Sequence, residues 1–290
     1  MTFTEGGSFE GGRVRTRKGG AVVGGGIGLG IVAFLIYQFT GVNVAPVLEN
    51  LQGAGGQQQE STLGSCSAAD ANANRDCRLS ATSQSLDTYW QETLTAQGAS
   101  FPVPDVWAFE GSTSTGCGNA TSSTGPFYCP PDQSIYLDLG FFDLLQSQFG
   151  ASGGPLAEMY VVAHEYGHHI QNITGVMDGI GRQGTGPESD GARLELQADC
   201  YAGLWAGAAA NTVDPKTGIT YLEPITDAQL ADALSAAQAV GDDHIQQQSS
   251  GGVNPDTWTH GSSAQRQNWF TTGYEKGTLA ACDTFSAANL

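Results

Sequence analysis

The stretch that decides the reading is 160-YVVAHEYGHHIQN-172. It lies in an apolar run from Leu156 to Ile173 that contains no proline, and this pattern predicts a helix. On a helix, residues four apart share a face about one turn apart, so His164 and His168 can offer their imidazoles to a single metal ion. Glu165 stands three residues before His168, at the edge of the same face. A carboxylate there can take a proton from an activated water without itself being a ligand.

An open zinc site wants three protein ligands and one free position. A third histidine on the same run would need Gly at 171 and His at 174, and the chain has Gln171 and Thr174. The alternative is a carboxylate from a second helix. The segment 193-RLELQADCYAG-203 supplies Glu195, with Asp199 four residues later on the same face. The plain reading of such a pair is a solvated helix surface, but Ala198, Cys200, Tyr201, Leu204 and Trp205 around it are too apolar for that. The expected ligand set is therefore His164, His168 and Glu195 around Zn2+, with Asp199 placed to accept the Nδ1–H of a ligand histidine. His169, rotated about 100° from His168, is expected beside the site rather than on the ion.

Outward from these helices, the sequence predicts a helix near Leu79–Ala96 and β-rich segments at Val103–Phe109 and Ser134–Leu139. A Gly/Ser/Thr loop carrying Cys117 and Cys129 separates the two β segments. A further helix is predicted from Thr226, where Thr-Asp-Ala-Gln has capping-box form and Leu230, Leu234, Ala237 and Val240 make one stripe. The fold class expected is α+β, mainly helical, with a small sheet. The segment 134–139 is either the sheet edge along which an extended peptide could lie or a buried strand.

The N-terminal part reads differently. Ala21 to Tyr37 is a run of seventeen residues without a polar side chain, at the short end for a bilayer span. Arg13, Arg15, Arg17 and Lys18 precede it, four of the eleven basic residues. By the positive-inside rule they place that end in the cytoplasm and the remainder outside. The division expected is a basic cytoplasmic tail at 1–18, a transmembrane helix at 19–40, a Gly/Gln/Ser linker at 41–62 and an extracytoplasmic domain at 63–290. The predicted location is thus the cell membrane, as a single-pass protein. The six cysteines all follow the apolar run, and their even number fits an oxidising compartment. Proximity favours Cys66 with Cys77 and Cys117 with Cys129, leaving Cys200 with Cys282.

Composition excludes some partners. The formal net charge is −18, and the chain has 41 glycines with only 14% charged residues. The seven basic residues left beyond position 18 cannot build a phosphate-neutralising surface, so no nucleic acid is expected as a partner.

The chain also resembles the neutral zinc metallopeptidase family of bacteria. The resemblance is carried by Cys117-Gly118-Asn119-Ala120 and 125-GPFYCPPDQSIYLDL-139, by 158-EMYVVAHEYGHHIQN-172 and 193-RLELQADCYAGLWAG-207, and by 240-VGDDHIQ-246 and 259-THGSSAQRQNWF-270. It implies a zincin-like fold, zinc on the two histidines and the downstream glutamate, and peptide hydrolysis. By analogy with Glu-zincins, Asp199 would orient His164. One departure is Ala264, where an acidic residue is expected. On this reading Glu165 is the catalytic base, and His260, in a polar Thr-His-Gly-Ser-Ser turn, is the preferred oxyanion donor ahead of Tyr160 and Tyr166. The partner expected is a peptide or protein substrate. Two other readings stay open: a membrane-tethered interaction protein with zinc as a structural staple, and a hydrolase of a non-peptide amide.

Overall fold

The computed structural model describes residues 3–18, 59–122, 124–180, 184–250 and 252–290. Strands β1 (Ser8–Phe9) and β2 (Val14–Lys18) precede β3 (Gln59–Thr62) and β4 (Cys66–Ser67). Helices α1 (Ala68–Ala73) and α2 (Arg75–Thr95) come next. Then follow β5 (Asp105–Glu110), β6 (Ser112–Thr115), β7 (Gly118–Thr121), β8 (Phe127–Cys129) and β9 (Ser134–Asp138). The remainder is helical: α3 (Phe141–Ser147), α4 (Pro155–Ile173), α5 (Asp190–Ala208), α6 (Asp227–Ala239), α7 (Asp242–Ser250) and α8 (Ser263–Lys276).

Five strands form one mixed sheet in the order β3-β2-β5-β9-β8. Its central strands β2, β5 and β9 run parallel, and β3 and β8 flank them antiparallel. Of the two readings of 134–139, the structure takes the buried strand: β9 is an interior strand buried from Ser134 to Asp138, and β8 forms the edge of the sheet. The Cys117–Cys129 region is also more ordered than a Gly/Ser/Thr loop, because β6 and β7 pair there as a hairpin.

The helices pack closely because glycines let their backbones touch. A Cβ on Gly167, inside the His-Glu-Tyr-Gly-His stretch, would sit 2.8 Å from the Ala198 Cα, so α4 and α5 cross in backbone contact there. Side chains on Gly203 or Gly273 would collide with the carbonyls of Phe270 and Cys200, which locks α5 against α8. Helix α4 begins on Pro155, whose fixed φ suits a first turn, and ends where Gly175 takes a φ of +78°. Thr226 caps α6 with the expected capping box. Disulfides join Cys66–Cys77, Cys117–Cys129 and Cys200–Cys282, the three pairs expected; the last ties α5 to the turn Leu279–Cys282.

The expected division of the chain needs correction. The transmembrane span placed at 19–40 and most of the linker lie outside the described residues. Among the described residues no helix is long and apolar enough to cross a membrane. Residues 3–18 are not a separate tail. Phe3 and Phe9 are buried in the main core, and β2 is an interior strand between β3 and β5. The arginines thought to mark a cytoplasmic end have partners in the fold: Arg13 binds Asp87, Arg15 lies 3.6 Å from Asp105, and Arg17 binds Glu60 and stacks over Trp107 at 3.6 Å. Residues 59–62, expected in the linker, are β3. Lys18 pairs with Gln59, so the described residues on either side of 19–58 stand side by side. A single membrane crossing that separates residues 3–18 from the domain does not fit this pairing.

Candidate metal centre

Helix α4 carries His164 and His168 into the crossing with α5, where Glu195 faces them. One ligand atom from each of His164, His168 and Glu195 lies within 4.8 Å of the others. Glu195 Oε2 is 3.1 Å from His164 Nε2, and Oε1 is 3.4 Å from His168 Nε2. Two ligands about 2.1 Å from a tetrahedral zinc stand roughly 3.4 Å apart, so the group has the spacing that such an ion requires. Two imidazole nitrogens and a carboxylate are also a donor set that zinc accepts.

The outer ring nitrogens are both fixed. His164 Nδ1 is 2.8 Å from Asp199 Oδ1. Asp199 can only accept, so Nδ1 carries a proton and Nε2 is the nitrogen turned toward Glu195, where it would meet an ion. Asp199 is itself held by the Tyr160 hydroxyl at 2.5 Å and by Arg266, whose Nε and Nη2 donate at 2.8 and 2.9 Å. His168 Nδ1 is 2.9 Å from Gln171 Oε1. The Gln171 amide donates through Nε2 to the Leu194 carbonyl at 2.7 Å and to Gln197 Oε1 at 3.1 Å, which fixes the oxygen toward His168. Gln197 in turn donates to the Cys282 carbonyl, so the Cys200–Cys282 staple supports this side of the site.

Charge is concentrated here in a buried place. Burial by itself would raise Glu195, but His168, His260 and the hydrogen bonds from the histidines hold its carboxyl well below the usual range. Burial would lower His164, yet Asp199 outweighs it and pushes the imidazole up to about 9. Glu165 is raised, first by burial and partly offset by His164 and His168. It is 7% exposed, so its carboxylate is largely stripped of water.

His260 lies against the same centre. Asp242 Oδ2 accepts from the backbone N–H groups of Thr259, His260 and Gly261 at 2.7, 2.7 and 3.1 Å, while Oδ1 meets His260 Nδ1 at 3.1 Å. The turn is thereby set by Asp242, and the ring by Asp242 together with the Thr259 hydroxyl, 3.0 Å from Nδ1. His260 and Glu195 feel each other electrostatically, but His260 is not in the ligand group.

The sequence matches the family described as "Putative neutral zinc metallopeptidase" over residues 3–285. The chain belongs to this family. An uncharacterized protein of Mycobacterium bovis is 54% identical over 222 residues, covering 77% of this chain and 74% of the relative. Uncharacterized protein YpfJ of Escherichia coli is 36% identical over 278 residues, covering 94% of this chain and 88% of its own. No solved structure matches the chain.

Each residue singled out in the sequence of this family member can now be placed. His164, His168, Glu195, Glu165, Asp199 and His260 come together. Tyr160 and Tyr166 do not serve as free donors. The Tyr160 hydroxyl is spent on Asp199, and that of Tyr166 points away to Asp87 at 2.9 Å and to Arg13 at 2.6 Å. His169 is beside the site: its Nε2–H donates to the Pro102 carbonyl at 2.7 Å, its Nδ1 faces the Tyr128 hydroxyl at 3.1 Å, and burial pushes it down to about 4. Gln171, Gln197, Arg266 and Asp242 were missed. Gln171 was seen only as a missing glycine; its place three residues after His168, on the same helical face, was the signal available. Arg266 and Asp242 come from distant helices, and no spacing announces them.

Proposed function

We propose that the chain is a zinc-dependent peptidase of zincin type, hydrolysing peptide bonds at the crossing of α4 and α5. The observation that carries this is the spacing of the His164, His168 and Glu195 ligand atoms, with the buried Glu165 carboxylate against them. A bound zinc would polarise the scissile carbonyl and acidify a water at its open position. Glu165 takes the proton of the attacking water and passes it to the departing amine, a role suited to a carboxylate raised by burial. Asp199 and Gln171 keep the two imidazoles in the tautomer that presents Nε2. His260, with Asp242 behind Nδ1, donates to the oxyanion that develops on the substrate carbonyl.

A structural zinc is usually closed by four protein ligands. Among the described residues the group numbers three, which favours a working site over a staple. The test is zinc titration of the full chain together with a peptide library read by mass spectrometry. One zinc per chain and cleaved peptides support the proposal; one zinc and no cleavage of any peptide sinks it. Replacing His260 with Ala is expected to lower turnover by about 10²–10³-fold with zinc content unchanged. A loss of zinc in that variant would make His260 a ligand instead.

A further inference from the structure

The surface beside the metal ligands sinks into a cavity of about 50 Å³ whose wall includes His168 and Glu195. One water needs roughly 10–15 Å³ in this measure, so the space holds on the order of four heavy atoms. Most of its other wall is apolar: Tyr128 and Pro130 from the edge of the sheet, Met177 and Ile180 from the segment after α4, and Leu194 from α5, next to Glu195. Asp190 stands among the lining residues as a carboxylate, and His168 is the one basic side chain among the described lining residues.

The Tyr128 wall is rigid. Its hydroxyl accepts from Asn172 Nδ2 at 2.8 Å and meets His169 Nδ1 at 3.1 Å, and both partners belong to the metal helix α4. Phe101 and Tyr128 pack edge-on against the His169 ring. The cavity is therefore anchored to the same helix as the ligands, and its distance from them is fixed.

We infer that this cavity holds the side chain of the residue next to the scissile bond, and that the substrates are peptides with a medium-sized apolar residue there, of the size of leucine or methionine. The inference rests on the peptidase reading. Among the described lining residues a carboxylate side chain would meet no lysine or arginine, and Asp190 would repel it. A lysine or arginine would leave its long stem no room to turn its charge back to water.

The test uses the full chain loaded with one zinc and three small hydroxamates whose side chain beside the chelating group is isobutyl, methyl or carboxymethyl. Binding is read by calorimetry, independently of turnover. The isobutyl compound is expected to bind at least about tenfold tighter than the methyl one, and the carboxymethyl compound weakest. Leu194→Trp, which fills the cavity, should erase the isobutyl advantage while keeping one zinc per chain. If that variant does not fold, Met177→Ala should enlarge the space and shift the preference to a benzyl side chain. Equal affinities for the three compounds, or tightest binding of the carboxymethyl one, overturn the inference. An isobutyl preference in a protein that cleaves no peptide keeps the cavity assignment and defeats the peptidase reading. Cleavage indifferent to the neighbouring side chain does the reverse.

Discussion

Tyr166 is touched by two regions built on opposite principles. On its own helix, α4, it sits among the metal ligands, whose arrangement follows from residues three and four apart and from one helix crossing. From the other side comes the N-terminal arm, residues 3–18, which reaches the same tyrosine through Arg13. Arg13 also donates to Asp87 on α2 at 2.5 and 2.9 Å and to the Pro104 carbonyl at 3.0 Å. The arm is held mainly from far along the chain: Phe3 bridges to Leu222, Phe9 stacks with Tyr221, and β2 is inserted between β3 and β5. The metal helix is set by short-range geometry but braced by a segment held in place chiefly by long-range contacts.

The most severe way to break that relation is to delete residues 1–18. The loss of β2 detaches β3 from β5, the loss of Phe3 and Phe9 uncovers Leu222 and Tyr221, and the truncated chain is expected to lose cooperative thermal unfolding by calorimetry. Retention of a sharp transition near that of the full chain would show the arm to be dispensable. Arg13→Ala is the gentler version. It leaves Asp87 without its cationic partner in a largely buried place, and a loss of about 3 kcal/mol, or roughly 6–12 °C in melting temperature, is expected.

On the metal side, Asp199→Asn should lower zinc affinity by about 10–100-fold, read by competition with a chelating dye, because the amide can no longer be relied on to accept from His164 Nδ1. An unchanged affinity would mean that Tyr160 and Arg266 do not act on the ion through Asp199. The smallest effect concerns His169. Its imidazole is held down near 4 by burial, against about 6.5 in the unfolded chain, so the folded state takes up its proton later. The stability it contributes is fully present above about pH 6.5 and is lost as the pH falls toward 4. Asp138, which burial pushes up to about 6, has the opposite sign, gaining relative stability as the pH falls through 6. In Asp138→Asn the histidine's dependence should therefore stand out, and the His169 ring resonances should titrate near 4 by NMR.

The same contrast explains what could be read from the sequence. His164, His168 and Glu165 are legible because helical spacing alone places them, and Glu195 with Asp199 because an acidic pair in apolar surroundings needs a reason. The disulfides followed from proximity and elimination. The arm was misread because a strand such as 14-VRTRK-18, alternating with arginines, carries no sign of which distant strands receive it. Its basic residues look like a charged flank until Asp87, Asp105, Glu60 and Trp107 are seen opposite them. The strand 134–138 was placed along the chain, but its place in the sheet stayed open between edge and interior, since a run buried on both faces does not reveal its neighbours. Arg266 and Asp242 stayed hidden for the same reason: each reaches the site from a helix far along the chain.

The account turns on Glu165 acting as a base beside a metal that it does not hold. The direct measurement is zinc stoichiometry and peptide hydrolysis of the full chain with Glu165→Gln beside the wild type. The account predicts one zinc in each protein and a fall in kcat of about 10²–10⁴-fold in the variant. A variant that keeps wild-type turnover, or that loses its zinc, would contradict it.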